Sequence, residues 1–138
     1  NRLVLIVAGG YVVFAPLAGF SPTQIGLAFG TAAIVLVATF TLFAFGLIGG
    51  GDAKLAAATA LWLGPEPTLV FVVYTMLIGG VLAIGMLTLR SAPLPAMLRA
   101  WPFVSRLQSP GQGIPYALAM SPAALLVIPT TSWFALVA

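Results

Sequence analysis

The sequence has 138 residues, of which 62% are hydrophobic and 5% are charged, and its formal net charge is +3. A water-soluble globular domain carries about a quarter charged residues, so this composition excludes an ordinary soluble domain and favours a membrane protein. The chain has no cysteine and no histidine, which excludes disulfides, thiolate nucleophiles and the common zinc-ligand sets. We therefore expect no metal site and no other cofactor.

The apolar segments predict about five helices in chain order. The first covers residues 3–18 and ends at the Gly-Phe-Ser-Pro turn at 19–22, because glycine and proline both interrupt a helix. The second, 25–48, is uncharged and long enough for a full crossing of a membrane. A short alanine-rich third helix, 53–63, stops at the Gly-Pro-Glu-Pro run at 64–67. The fourth covers 68–89 and the fifth 114–128.

The glycines of the second apolar segment occur at small-xxx-small spacing. Gly26 pairs with Gly30, and Gly46 pairs with Gly50. This spacing lets helix backbones approach closely in a membrane. We therefore expect these glycines to lie at helix contacts.

The expected fold class is all-α: a polytopic transmembrane helix bundle forming a single domain over residues 1–138. The interval 90–113 mixes arginines, prolines and apolar residues, which predicts a cytoplasmic interfacial loop; a solvated irregular loop is the alternative.

The five basic residues lie at the ends of apolar runs, so they indicate the orientation of the helices in the membrane and not a nucleic-acid-binding patch. With the arginines of 90–113 in the cytoplasm, Arg2 and Lys54 also fall on the cytoplasmic side and Glu66 falls outside.

Asp52 is the only intramembrane carboxylate that the predicted helices allow. Burying an ionisable group in a membrane costs about 2.5–3.5 kcal/mol on insertion scales. The presence of Asp52 therefore indicates a structural or functional role. One interpretation is an N-cap for the third helix, with Lys54 extending to the interface. The other is a catalytic carboxylate. A phosphate-binding loop is excluded, because aspartate stands where that motif needs lysine and no strand precedes it.

The run Gly-Gly-Gly-Asp-Ala-Lys-Leu at 49–55 resembles the Gly-x-Gly-Asp-x-Lys-Leu signature of the type IV prepilin peptidases. It follows a long apolar helix and precedes a short helix ending in Trp-Leu-Gly at 62–64, as is usual in that family. The later segment Ile-Pro-Tyr-Ala-Leu-Ala at 114–119 is similar to the family's Pro-Tyr-Gly-x-Ala segment, with alanine in place of glycine. The small size most resembles the minimal enzymes of tight-adherence (Flp) pilus systems.

The resemblance implies an intramembrane aspartyl endopeptidase of the bacterial inner membrane that removes the basic leader of Flp-type prepilins at the cytoplasmic face. It also implies the site residues. Asp52 would be one of two catalytic aspartates, one ionised as general base and one protonated. Gly49, Gly51 and Lys54 would shape substrate approach and local charge, and Pro115 and Tyr116 would line the site.

The sequence departs from the family pattern because Asp52 is its only aspartate. In the family the first catalytic aspartate precedes an Ile-Pro-Asn step, and Asn1 is similar to that asparagine. We therefore expect an upstream helix ending in an aspartate, six helices in the full-length protein, and no activity from these 138 residues alone.

Two other functions stay open. One is a non-catalytic membrane component, either a pilus-assembly scaffold or a transporter subunit, in which Asp52 is only a helix cap. The other is a related aspartyl protease acting on another leader, such as that of a preflagellin. The expected partners are the prepilin leader and the lipid bilayer, with no nucleic acid. The oligomeric state is left open, a homo-oligomer included.

Overall fold

The computed structural model of the chain describes residues 2–91 and 116–136, and this part is all-α, without a strand. It confirms the expected helical bundle of five helices: α1 Arg2–Leu17, α2 Pro22–Ala44, α3 Gly50–Leu63, α4 Pro65–Ser91 and α5 Ala117–Val127. Two short 3₁₀ turns follow, Ile128–Thr130 and Phe134–Leu136. The predicted loop at 90–113 lies outside the described residues from 92 onward, and at its start α4 continues as helix to Ser91.

Glycines in left-handed backbone conformation end α1 and α2. At the end of α2, Gly46 has φ +72°, its N–H donates to the Phe43 carbonyl, and the Leu47 N–H donates to the Leu42 carbonyl. This pair of bonds is a Schellman motif, which terminates a helix. The second helix therefore stops at Ala44, whereas the sequence predicted it to continue to residue 48.

Local capping fixes where α2 and α3 begin. Ser21 caps α2 in a capping box, because its hydroxyl accepts from the Gln24 N–H while the Gln24 side chain accepts from the Ser21 N–H. Gly49 is the N-cap of α3, so this helix begins at Gly50, three residues before the predicted start. At 1.5 Å per residue its 14 residues span about 21 Å, still less than the roughly 30 Å of a bilayer core.

The short helix α3 lies at the centre of the bundle. Seven of its residues are buried: Ala53, Ala56, Ala57, Ala58, Ala60, Leu61 and Leu63. On one side it packs with residues of α4 and α5, among them Phe71, Met120 and Val127. On another side Leu61 packs with Tyr11 and Ala15 of α1 and Ala28 of α2. Small alanine side chains allow several helices to approach one central helix.

The predicted glycine contacts are only partly present. A Cβ added to Gly26 or Gly30 would meet nothing within 4 Å, so the expectation that this pair mediates helix packing is wrong for the described residues. A Cβ added to Gly46 also meets nothing within 4 Å, whereas at Gly50 a Cβ would lie 3.2 Å from the Phe43 ring. The α4–α5 contact instead uses Gly79, whose added Cβ would lie 3.5 Å from Tyr116 and 3.7 Å from Ala119.

Two helices of the described part, Pro22–Ala44 and Pro65–Thr88, are long and apolar enough to cross a membrane. Only 11% of each is buried inside the bundle, which differs from the core helix of a soluble protein. Their outer faces carry exposed aliphatic and aromatic side chains such as Ile34, Val37, Leu77 and Val81. These apolar faces suit a hydrocarbon environment.

Candidate functional site

Asp52 lies in the first turn of the central helix and is half-buried. Its side chain turns back toward the start of the helix: a Cβ added to Gly49 would lie 3.2 Å from the Asp52 Oδ2 atom and 3.8 Å from its Cγ. The absence of a side chain at Gly49 therefore leaves the space that the carboxylate occupies. The N-terminal end of a helix also stabilises a negative charge.

The structure contradicts the interpretation of Asp52 as the N-cap. The cap residue is Gly49, at φ −75° and ψ 143°, and it makes no side-chain capping bond. Asp52 lies three residues farther along, inside the helix. Glycine is an acceptable N-cap, only a few tenths of a kcal/mol weaker than serine or asparagine, so α3 does not need Asp52 as its cap.

The two glycines between Gly49 and Asp52 have different surroundings. Gly50 lies against the Phe43 ring at the end of α2, which leaves no room for a side chain unless the ring moves. A Cβ added to Gly51 would meet nothing within 4 Å, and Gly51 is exposed. The backbone beside the Asp52 carboxylate is therefore accessible on the Gly51 side.

A polar contact from α2 lies against the first turn of α3. The Thr39 hydroxyl donates to the Val35 carbonyl at 2.6 Å and lies 3.3 Å from the Ala53 carbonyl, the residue after Asp52. Together with Phe43 this contact sets the position of the Asp52 turn relative to α2. Sequence reasoning missed both residues; a threonine within an apolar helix was the available signal for Thr39, and nothing distinguished Phe43 from the other phenylalanines.

Lys54 is exposed and lies at the edge of an apolar cavity of about 310 Å³ between α1, α2 and α3. The cavity is lined by Val4 and Ala8 of α1, Phe29 and Leu36 of α2, and Ala57 and Leu61 of α3, among others. The lysine and Asp52 thus lie at one end of the bundle, which we call the Asp52 end. An apolar cleft runs from there along α3.

The second predicted group of site residues is only partly described. Pro115 lies outside the described residues. Tyr116 precedes α5, is half-buried, and packs against the core cluster that contains Ala56 and Met120 and against Gly79 of α4. The contacts of Tyr116 within the described residues lie in the core between α3, α4 and α5, and none of them is with Asp52.

Asp52 and Glu66, the only two acidic residues in the sequence, lie at opposite ends of α3. Asp52 is in its first turn, and Glu66 is in the first turn of α4, beyond the other end. The intervening helix of 14 residues spans about 21 Å. The two carboxylates therefore cannot act as one catalytic pair, and among the described residues no cluster of three or more metal-ligating side chains exists.

Comparison with known proteins identifies the family. No curated protein and no solved structure matches the chain. A family model described as the type IV leader peptidase family matches residues 1–84, which include α1, α2, the glycine-aspartate turn, α3 and most of α4. The match covers more than half of the 138 residues and includes the turn that carries Asp52. The chain belongs to the type IV leader peptidase family.

Proposed function

We propose that this protein is an intramembrane aspartyl endopeptidase that cleaves the basic leader peptide of Flp-type prepilins at the cytoplasmic face of the bacterial inner membrane. Membership of the leader peptidase family supports peptidase activity on prepilins in general. The observation that carries the proposal is the Asp52 carboxylate, held in the first turn of the central helix beside accessible glycine backbone.

Asp52 is the catalytic carboxylate of this proposal. A carboxylate that is ionised takes a proton from water as the water attacks the scissile carbonyl, and a second, protonated carboxyl group donates a hydrogen bond to that carbonyl oxygen. Glu66 is too far away to be the second group, so we expect it from an upstream aspartate in the natural protein. By this mechanism the 138 residues alone have no peptidase activity.

The glycines around Asp52 suit a peptide substrate. A substrate in extended conformation needs to bring its backbone to within about 3–3.5 Å of the catalytic groups. The open space at Gly51 permits that approach, while Gly49 leaves room for the carboxylate itself. Lys54 contributes positive charge next to the catalytic group. In this proposal Gly49, Gly51 and Lys54 therefore each have a separate role beside the catalytic carboxylate.

The cleft beside Lys54 suits the apolar part of a prepilin. The apolar cavity between α1, α2 and α3 opens next to Lys54, which suits an apolar helical segment of the substrate beyond its leader. We place the leader on the cytoplasmic side and the apolar helix along this cleft. The scaffold and transporter alternatives predict no role for an accessible carboxylate here.

Membrane orientation provides the first test. The sequence has no cysteine, so single cysteines introduced at exposed positions can be labelled without background. We expect Gly51→Cys to react with a membrane-impermeant maleimide only from the cytoplasmic side, and Ser132→Cys only from the periplasmic side. Labelling of both positions from the same side would contradict the topology.

Prepilin processing in cells provides the second test. The full-length protein is co-expressed with a Flp-type prepilin, and leader removal is read as a gel shift. We expect Asp52→Asn to abolish processing and the control Ser121→Ala, on an exposed face of α5, to retain it. Processing that survives in Asp52→Asn would leave a non-catalytic membrane component.

A further inference from the structure

At the end of the bundle opposite Asp52, which we call the aromatic end, aromatic side chains from four parts of the chain help to line a cavity of about 190 Å³. Tyr11 comes from α1, Phe20 from the α1–α2 turn, Trp62 from α3, and Trp133 from the segment after α5. The Trp133 ring is central, with centroid distances of 4.5 Å to Phe20, 4.9 Å to Trp62 and 5.9 Å to Tyr11. The four rings therefore pack against one another and together form one wall of the cavity.

The lining changes from apolar to polar toward the surface. Tyr11 is only 2% exposed and lies deep in the cavity wall, whereas Gln24, Glu66 and Ser132 are exposed. Glu66 supplies the only carboxylate, and the described lining contains no basic residue. A cavity of this kind combines an aromatic wall with one negative charge at its mouth.

The groups around the cavity are held in fixed positions. The Trp62 indole N–H donates to the Val7 carbonyl at 2.9 Å, which fixes this ring against α1. At the sharp α3–α4 corner Gly64 has φ +78°, and the Thr68 hydroxyl donates to the Gly64 carbonyl at 2.6 Å. Glu66 lies within this corner. A site whose walls are already ordered loses less entropy when it binds a ligand.

We propose that this cavity binds an organic ammonium group. A cation placed over aromatic faces is attracted by the ring quadrupoles, by about 2 kcal/mol or more when it is desolvated, and the Glu66 carboxylate offsets its charge at the rim. The size also fits, since a cavity of about 150 Å³ holds a benzene molecule. The ammonium can come from a lipid headgroup or from a soluble molecule, and the binding does not depend on the peptidase activity.

The test measures choline binding to the purified chain in detergent. Intrinsic fluorescence reports the site, because Trp62 and Trp133 both line it. We expect a saturable change with choline and with tetramethylammonium, and none with 3,3-dimethylbutan-1-ol, the uncharged isostere of choline, at matched ionic strength. An equal response to choline and its uncharged isostere, or no response to either cation, would overturn the proposal.

Variants measure how much the Glu66 carboxylate contributes to choline binding beside the aromatic rings. Glu66→Gln keeps the shape but removes the charge, so the choline Kd should rise about tenfold. Arg2→Gln is the control, because it also removes one charge but lies at the other end of the bundle, and its Kd should match that of the parent. An unchanged Kd in Glu66→Gln would overturn the role of the carboxylate. If Glu66→Gln fails to fold, Glu66→Ala provides the second variant, with the same expected rise in the choline Kd, because Glu66 is exposed and its side chain is not part of the aromatic packing.

Nanodiscs distinguish the two sources of the ammonium. If the natural ligand is a lipid headgroup, phosphatidylethanolamine nanodiscs should weaken choline binding relative to nanodiscs of a neutral galactolipid, because only the first lipid carries a competing ammonium group and neither bilayer attracts choline by its charge. If the natural ligand is soluble, the Kd should be the same in both. Either result supports an ammonium site and assigns its source, whereas the absence of saturable binding in both overturns it.

Discussion

The two ends of α3 differ in how their key side chains are held. At the Asp52 end the carboxylate is half-buried beside three consecutive glycines, and Gly51 faces open space. At the aromatic end Tyr11 is almost fully buried and contacts Trp62 and Trp133, and the Trp62 indole bonds to α1. One end leaves its backbone accessible, while the other joins four segments of the chain.

This difference indicates a division of roles. Aromatic rings bury large areas and pack with defined geometry, so they stabilise the bundle where α1, α3 and the C-terminal segment meet. A hydrolytic site instead needs space for a substrate and a backbone with few side chains. Substitutions at the aromatic end should therefore act mainly on stability, and those at the Asp52 end mainly on peptide cleavage.

The largest effect on stability should come from Trp62→Ala. This change removes the contacts of the ring with Tyr11 and Trp133 and its hydrogen bond to Val7. Truncation of a fully buried tryptophan costs about 3–5 kcal/mol; Trp62 is partly buried, so the loss should lie below that range and still lower the thermal unfolding temperature in detergent clearly. Trp62→Phe should show a smaller loss. Unchanged unfolding in Trp62→Ala would contradict a stabilising role of this end.

Gly49→Ala should lower leader cleavage by about tenfold, because a small displacement of a catalytic group is costly. The new Cβ would lie 3.2 Å from the Asp52 Oδ2 atom and would push the carboxylate away. The control is Gly30→Ala, whose Cβ meets nothing within 4 Å. Cleavage rates of the full-length variants on a prepilin peptide provide the measurement; equal rates for the two variants would show that the position of the carboxylate is not critical.

Gly46→Ala tests the turn between α2 and α3. Gly46 has φ +72°, and a residue with a Cβ is strained there, by about 1 kcal/mol. We expect reduced thermal stability, although a Cβ at this position meets no atom within 4 Å. The unfolding temperature in detergent is the measurement, and a value equal to that of the parent would exclude strain at this turn.

Thr39→Val should have the smallest effect. It removes the hydroxyl that lies 3.3 Å from the Ala53 carbonyl and replaces it with a methyl group of similar size. Because the hydroxyl proton goes to the Val35 carbonyl at 2.6 Å, the contact with α3 should contribute no more than an average interhelical hydrogen bond in a membrane protein, about 0.6 kcal/mol. We expect a small loss of stability by equilibrium unfolding, with Thr41→Val, whose hydroxyl bonds only within its own helix at Val37, as the control.

Much of the fold could be predicted from the sequence. Apolar run length and the glycine and proline turns predicted five helices in the correct order, because these signals are local. The end of α2 and the start of α3 were predicted less well. Gly46 ends α2 through bonds that require a left-handed residue, and the sequence around it stays apolar to residue 48, so hydrophobicity could not mark that boundary.

The site was predicted less completely than the fold. The glycine-aspartate run directed attention to Asp52 because a carboxylate in an apolar chain is costly. Its position inside the first turn, with Gly49 as the cap, depends on backbone geometry that composition does not reveal. The contacts from Phe43 and Thr39, and the grouping of Tyr11, Phe20, Trp62 and Trp133, join residues far apart in sequence and follow only from helix packing.

The most direct measurement of the central claim is leader cleavage by the purified full-length protein in liposomes, with Asp52→Asn tested beside the parent. We expect cleavage to fall at least about a thousandfold, while the thermal unfolding temperature changes little because Asp52 is not the helix cap. Loss of cleavage with an unchanged unfolding temperature would establish Asp52 as catalytic. Cleavage by Asp52→Asn at the parental rate would contradict the proposed aspartyl peptidase.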